Sequence, residues 1–290
     1  MRSTRGEKIF YAINYAFVTL VALTCLLPLI YEISLSFSSS RAISSGWVSF
    51  WPIEFCFDNY TLIFKGTPIL RAFKNSVIIT GVGTAFSMCA TILAAYPLSK
   101  PYMYARKQMT MLCVFTMLFG GGMIPTYLVI RDLGIIDTYW ALWLPGLVST
   151  YNMLVMRTFF TNISSELEDA ARIDGCNEIR LLLQIFLPLS LPCIATIALF
   201  YAVGFWNMFQ SVLIYINSTA KHNLSVLVNN MIREQLIITS DFIQAEDIST
   251  ATPQGVQAAG IIVMIFPIMC VYPFLQRYFV KGVMLGSVKG

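Results

Sequence analysis

The sequence predicts an all-α integral membrane protein with six transmembrane helices, and three observations carry that prediction. Of the 290 residues, 57% are hydrophobic and only 12% charged, roughly half the charge of an average soluble domain. Mean hydropathy is +0.70. Six stretches (residues 9–31, 75–99, 108–130, 138–160, 181–206 and 257–276) reach the length of about 20 apolar residues that a helix needs to cross a bilayer core. A membrane barrel would show segments of about ten residues alternating with period two, and the chain has none. The whole of 1–290 reads as one transmembrane domain.

The first stretch follows Arg2, Arg5 and Lys8 and runs on through Pro28 with no small-residue cleavage site, so it is expected to be a retained span and not a signal peptide. Residues 32–74 form an outer segment rich in Ser and aromatics, among them Trp47, Trp51, Phe55, Phe57, Tyr60 and Phe64. Two readings of these rings stand: an interfacial aromatic belt or a docking surface. The second span ends at Ser99 and is followed by Lys100, Arg106 and Lys107. The third carries Gly120, Gly121, Gly122 and Pro125. These mark either an unwound turn lining a cavity or close helix packing through small residues. Asn152 in the fourth span is either interhelical glue or a pathway group. The fifth span ends in Trp206, Asn207 and Gln210; an amide beside an aromatic face is chemistry that holds sugars, by ring stacking and hydroxyl bonding.

Residues 216–256 form a second outer segment, in which a short surface helix should precede an irregular polar loop over 240–255. The one histidine, His222, lies there with no Cys or second His beside it, so no metal site is expected. The seven cysteines lie mostly in spans and form no C-x-x-C; they read as small packing residues.

Charge sets orientation and excludes several function classes. With both termini inside, 12 of the 19 basic residues fall on the inner side and 7 on the outer, in keeping with the positive-inside rule. The net charge of +4 is scattered among loops and makes no nucleic-acid patch. No ionisable residue falls in the interior of a span, which argues against a proton- or sodium-coupled carrier. A neutral polar solute fits, or a charged one whose countercharge comes from a partner. A membrane enzyme would need paired carboxylates or a His–Ser or His–Cys set at the interface, and the one histidine lies in an outer loop.

The inner loop at 164–188, SSELEDAARIDGCNEIRLLLQIFLPL, is the polar exception. Ser165 and Glu168 have capping-box spacing, which predicts a helix from Glu166. Leu167, Ala170 and Ala171 are spaced to share a face. Gly175 is placed to end that helix and Asn177 to cap the next, which should run without interruption into the fifth span. A push on such an element would tilt the span joined to it.

Asp169, Ala170, Ala171, Gly175, Ile185, Leu187 and Pro188 resemble the EAA loop of binding-protein-dependent ABC-importer permeases, with Asp169 where that family usually has Glu. Asp174 beside Gly175 resembles the D-G of carbohydrate members. The resemblance extends to residues 46–80, to 119–160 and to the ending YPFLQRYFVKGVMLGSVKG. These are similar to the di- and oligosaccharide uptake family, including maltose-type permeases and a branch associated with polysaccharide breakdown. The resemblance implies a type I ABC-importer permease fold. It implies a second, related permease, two cytoplasmic ATPase subunits that bind ATP and Mg, and an extracytoplasmic solute-binding protein. ATPase contact would fall on Glu168, Asp169, Ala170, Ala171, Asp174, Gly175 and Pro188. Gly121, Pro125, Tyr127, Asn152, Trp206, Asn207 and Gln210 are candidates for the solute pathway. The chain holds no G-x-x-x-x-G-K-[ST], so no nucleotide or other cofactor is expected in it. A small solute other than an oligosaccharide is the alternative cargo.

Overall fold

The computed structural model describes residues 4–233 and 252–287, and the regular elements among them are all helical. The polar stretch expected as a loop over 240–255 lies mostly outside the described residues, as do Arg2 and Lys289.

The first helix, α1 (Arg5–Ser36), starts on a capping box that is present in full: Thr4 Oγ1 accepts from the Glu7 amide and the Glu7 carboxylate accepts from the Thr4 amide. None of its most apolar stretch is buried inside this chain. Two short helices, α2 (Ser40–Ser44) and α3 (Asp58–Gly66), lie in the connection to α4 (Ile69–Ser99). The next pair, α5 (Arg106–Leu118) and α6 (Met123–Asp132), is followed by α7 (Trp140–Trp143) and α8 (Thr150–Thr161). The inner loop contains α9 (Ser165–Ile173) and α10 (Glu178–Leu181), a π-helical turn (Leu182–Phe186) and α11 (Leu187–Leu189). The chain continues as α12 (Leu191–Trp206), α13 (Gln210–Tyr215), α14 (Leu224–Arg233) and α15 (Pro253–Ser287).

Three helices are long and apolar enough to cross a bilayer: Gly6–Ser36, Ile69–Ser99 and Pro253–Val271. Two bent pairs qualify when each is taken together, α5 with α6 at 112° and Glu178–Leu189 with α12 at 83°. That makes up to five crossings among the described residues. The span expected over 138–160 is not one helix. Pro145 has no amide hydrogen to continue α7, Gly146 follows it, and the chain restarts at α8, where Ser149 Oγ accepts from the Asn152 amide.

The chain groups into two compact units, residues 1–70 with 228–266 and residues 71–227 with 267–290. In the first, buried Asn59 donates to the carbonyls of Ser36 (3.2 Å) and Ser38 (3.1 Å). Phe37, Phe55, Phe57 and Tyr60 pack on one another, and Phe55 and Phe57 stay exposed, as do Trp47 and Trp51.

The second unit is packed around α4, α8 and α12, with Ile79, Met153, Met156, Phe160, Ile197 and Phe205 buried. Gly83 lets α4 close on this core: a Cβ there would stand 2.9 Å from the Phe205 ring and 2.9 Å from the Trp143 indole. Trp143 Nε1 donates to the Ile79 carbonyl at 3.1 Å, which fixes that indole. Asp137 adopts φ 60° and accepts from the amides of Asn217 (3.1 Å) and Ser218 (2.9 Å) and from Lys221 Nζ (2.6 Å). The Lys221 bond, reinforced by those amides, holds its carboxyl below the usual carboxylate range.

Candidate functional site

The inner loop forms two short helices joined by a bend, but several details differ from the sequence expectation. The cap of α9 is Ser164, whose Oγ accepts from the Glu166 amide at 3.2 Å, so the helix begins one residue early. Glu168 takes no part in a capping box. Its carboxylate accepts from Lys100 Nζ at 2.6 Å and from Arg172 at 2.9 Å, and charge-assisted bonds of this kind are stronger than a bond to a neutral amide. Ala171 is buried against the bundle, whereas Ala170, Asp169 and Leu167 are exposed. The two alanines therefore do not share an outward face; one packs inward and the other is open.

The end of α9 forms as its residues require. Gly175 sits at φ 77°, a left-handed conformation that only glycine adopts without cost. Its amide donates to Arg172, and the Cys176 amide donates to Ala171, the paired bonds of a Schellman motif. Asp174 is the C-cap, and Asn177 caps α10 by accepting from the Arg180 amide at 2.9 Å. Leu167, Ile173 and Ile179 are 48%, 86% and 70% exposed, an apolar surface on an otherwise charged element.

The expected uninterrupted run into the fifth span is instead jointed. Pro188 and Pro192 each remove a helix amide, and the residue before a proline resists the helical conformation. The chain meets this with the π turn and an 83° bend at Ser190. The Ser190 hydroxyl is buried with no hydrogen-bond partner.

Sequence reasoning missed the side chains that hold the loop in place. Lys100, 3% exposed, lies just past the end of α4 with its Nζ 3.9 Å over the Phe186 ring and 4.7 Å over the Tyr96 ring. Tyr96 Oη donates to Glu178 at 2.7 Å, and Tyr102 Oη donates to Glu178 at 3.1 Å. Arg172 donates to Tyr102 at 2.7 Å and pairs with Glu178. A cavity of about 450 Å³ opens here, lined by Lys100, Tyr102, Arg106, Glu168, Asp169 and Arg172. Only one signal was available in the sequence: a lone cation between Ser99 and Pro101 at the close of an apolar span, which the positive-inside rule already accounts for.

Burial pushes the Glu168 carboxyl up, but hydrogen bonds from Lys100 and Arg172 outweigh it and hold the group below its ordinary 4.5. Burial, then the bond to Glu178, pushes the Tyr102 hydroxyl up to about 12. A depressed carboxylate contributes stability above its unfolded value and loses it as pH falls through the folded value. The thermal midpoint of the detergent-solubilised protein should therefore be insensitive to Glu168 between about pH 6 and 8 and fall below about pH 4.5. In Glu168→Gln that part of the acid-side fall should be missing.

Four of the seven candidate pathway residues fall on α6, on α13 or at the break before α6. At the break between α5 and α6, Gly122 sits at φ 86°. A Cβ at Gly120 or Gly122 would touch nothing, and one at Gly121 would only reach Pro125 at 4.0 Å. Within this chain the glycines thus serve the turn and not close packing. Pro125 stands in the first turn of α6, where its missing amide costs nothing. Gln210 reaches Met123 at the same end of α6, and Tyr127 stacks on Tyr215 with ring centroids 6.3 Å apart. Gly121, Pro125, Tyr127 and Gln210 therefore lie along α6 and α13. Trp206 instead lines an apolar cavity of about 690 Å³ with Phe73, Val77, Leu199 and Pro267. Asn152 is buried and Asn207 is exposed, and neither lines that cavity. Among the described residues no group of His, Cys, Asp or Glu could hold a metal ion.

Comparison with known proteins agrees with this architecture. Residues 2–285 match the family described as binding-protein-dependent transport system inner membrane component. The chain is 42% identical to the polygalacturonan/rhamnogalacturonan transport system permease protein YtcP of Bacillus subtilis (strain 168), over 98% of this chain and 99% of the relative. It is also 42% identical to Protein LplC of the same organism, over 100% of this chain and 98% of the relative. Among solved structures it is similar to a bacterial ABC transporter involved in the import of the acidic polysaccharide alginate, with TM-score 0.88 and 30% identity. That match covers 96% of this chain and 99% of the other. A family match across nearly the whole length, relatives at this identity and a shared all-helical fold lead to one conclusion: the chain belongs to the binding-protein-dependent transport system inner membrane components.

Proposed function

We propose that this chain forms half of the membrane pathway of an ATP-driven oligosaccharide importer. A second, related permease supplies the other half, two cytoplasmic ATPase subunits bind ATP and Mg, and an extracytoplasmic binding protein delivers the sugar. The observation that carries this reading is the bent pair α9–α10: a short inner element with exposed Leu167, Ile173 and Ile179 beside exposed Asp169 and Ala170. Three large apolar side chains left exposed on a short charged element are what a protein partner would cover. The candidate ATPase contacts Glu168, Asp169, Ala170, Ala171, Asp174, Gly175 and Pro188 belong to this proposal. So does a topology of six crossings with both ends inside, in which the broken segment over 138–160 is one crossing.

The cargo follows from likeness and chemistry together. One relative is named for polygalacturonan and rhamnogalacturonan, and the similar solved structure imports alginate; both names denote acidic polysaccharide. The candidate pathway positions Gly121, Pro125, Tyr127, Asn152, Trp206, Asn207 and Gln210 carry no charge. An acidic oligosaccharide would therefore draw its countercharge from the partner permease.

The test is reconstitution of the four-subunit complex in proteoliposomes with its binding protein. ATP hydrolysis should rise when the binding protein carries an oligogalacturonide, and labelled sugar should accumulate. Uptake that follows an ion gradient and ignores ATP would refute the reading. Ala170→Glu, on the open side of α9, should lower uptake about ten-fold or more with the complex intact, because an unpaired charge is placed in the docking face. Ala171→Glu is a poorer probe, since it would bury a carboxylate in this chain's own core.

A further inference from the structure

We propose that Lys100 is a positioning residue that makes α4 move as one body with α9 and α10, while α12 pivots. This rests on the importer reading above. Side chains form a closed circuit at the inner end of α4. From Lys100 it passes to Glu168 on α9, on to Arg172, then to Glu178 on α10, and returns to α4 through Tyr96. Lys100 is buried and lies over two aromatic rings. Releasing it from Glu168 would leave an uncompensated charge inside protein, so the bond persists through any movement the loop undergoes. A second tie reinforces the same end: Arg157 of α8 donates from Nε to the Leu98 carbonyl at 2.9 Å.

The covalent route into α12 is looser. It passes through the π turn, two prolines and the 83° bend at Ser190, whose buried hydroxyl has no partner there. A π turn inside a helix often marks a functional site. The stiff connection is thus the one made by side chains to a helix distant in sequence. The flexible one is the peptide chain itself. An importer driven at α9 would carry α4 along directly and swing α12 about Ser190.

The test uses the assembled complex with genetically encoded spin labels on exposed positions, pairing Glu166 of α9 with Leu93 of α4 and, separately, Glu166 with Val203 of α12. Between nucleotide-free and ATP-bound states the first distance should stay single and unchanged, and the second should shift. In Lys100→Met the first distance should broaden and sugar moved per ATP should fall about ten-fold or more, a typical size for a lost coupling between elements, because Glu168 then keeps only Arg172 of its own helix. Lys100→Arg, which keeps the charge, should retain most of that ratio.

The proposal is overturned if the first distance changes with nucleotide as much as the second. It is also overturned if Lys100→Met moves as much sugar per ATP as the native chain, because a merely structural role would lower complex yield and leave that ratio alone. Should Lys100→Met fail to assemble, the distances in the unsubstituted complex decide. Failure of the native chain to co-purify with ATPase subunits would instead refute the importer reading, and the proposal with it.

Discussion

Gly175→Pro should abolish solute uptake, by about a hundred-fold or more, while the bundle still inserts and the complex can still be purified. Proline holds φ near −65° and has no amide hydrogen, whereas Gly175 sits at φ 77° and donates to the Arg172 carbonyl. The substitution therefore removes the turn and one of its two closing bonds together. Beyond the turn lies α10, with Glu178 bonded to Tyr96, Tyr102 and Arg172. Re-aiming the chain at Gly175 pulls that carboxylate away from all three. Gly175→Ala isolates the conformational cost, about 1 kcal/mol for an L-residue in the left-handed region, and should leave measurable uptake. Parallel assays of uptake and detergent-extracted yield decide the matter; equal losses in both would mean the turn serves folding alone.

Gly83→Leu should have the largest effect on stability, about 3 kcal/mol, through overpacking of a rigid contact. The nearest atoms to a new Cβ are ring carbons of Phe205 and Trp143, all at 2.9 Å. Neither ring can swing aside easily: Phe205 is buried in the core, and the Trp143 indole is tied to the Ile79 carbonyl. The same substitution at Gly81, where a Cβ meets nothing within 4 Å in this chain, is the control. Thermal midpoints in detergent should fall sharply for the first variant and little for the second.

The class of fold was legible because hydropathy is a sum, and sums survive local error. Residues 75–99 were expected as a span and lie within Ile69–Ser99. Where the expectation failed, proline or glycine competed with hydropathy. Residues 138–160 are apolar enough to span, yet Pro145 and Gly146 split them. Residues 181–206 are likewise divided by Pro188, Ser190 and Pro192. Helix caps were read to within a residue, since they depend on neighbours in sequence. The partners of Glu168 were not legible, because Lys100 lies 68 positions away and only the fold brings it near. Asn152, Trp206 and Asn207 are grouped in the sequence by chemistry; of the three, Trp206 alone lines the apolar cavity beside α12.

The break between α5 and α6 has a consequence for hydration. Thirteen residues of α5 advance about 20 Å, so a turn entered from the inner face stops short of the far side of a bilayer core of about 30 Å. Backbone amides and carbonyls released there cannot face hydrocarbon; in the importer proposed above, Phe119 to Gly122 line the water-filled pathway. A sugar hydroxyl reaching this patch would exchange one-for-one with water molecules already bonded to peptide groups, at little desolvation cost. Such an exchange discriminates poorly between one hydroxylated ring and another. Fidelity in what enters must then be decided upstream, before the cargo ever meets the lipid bilayer.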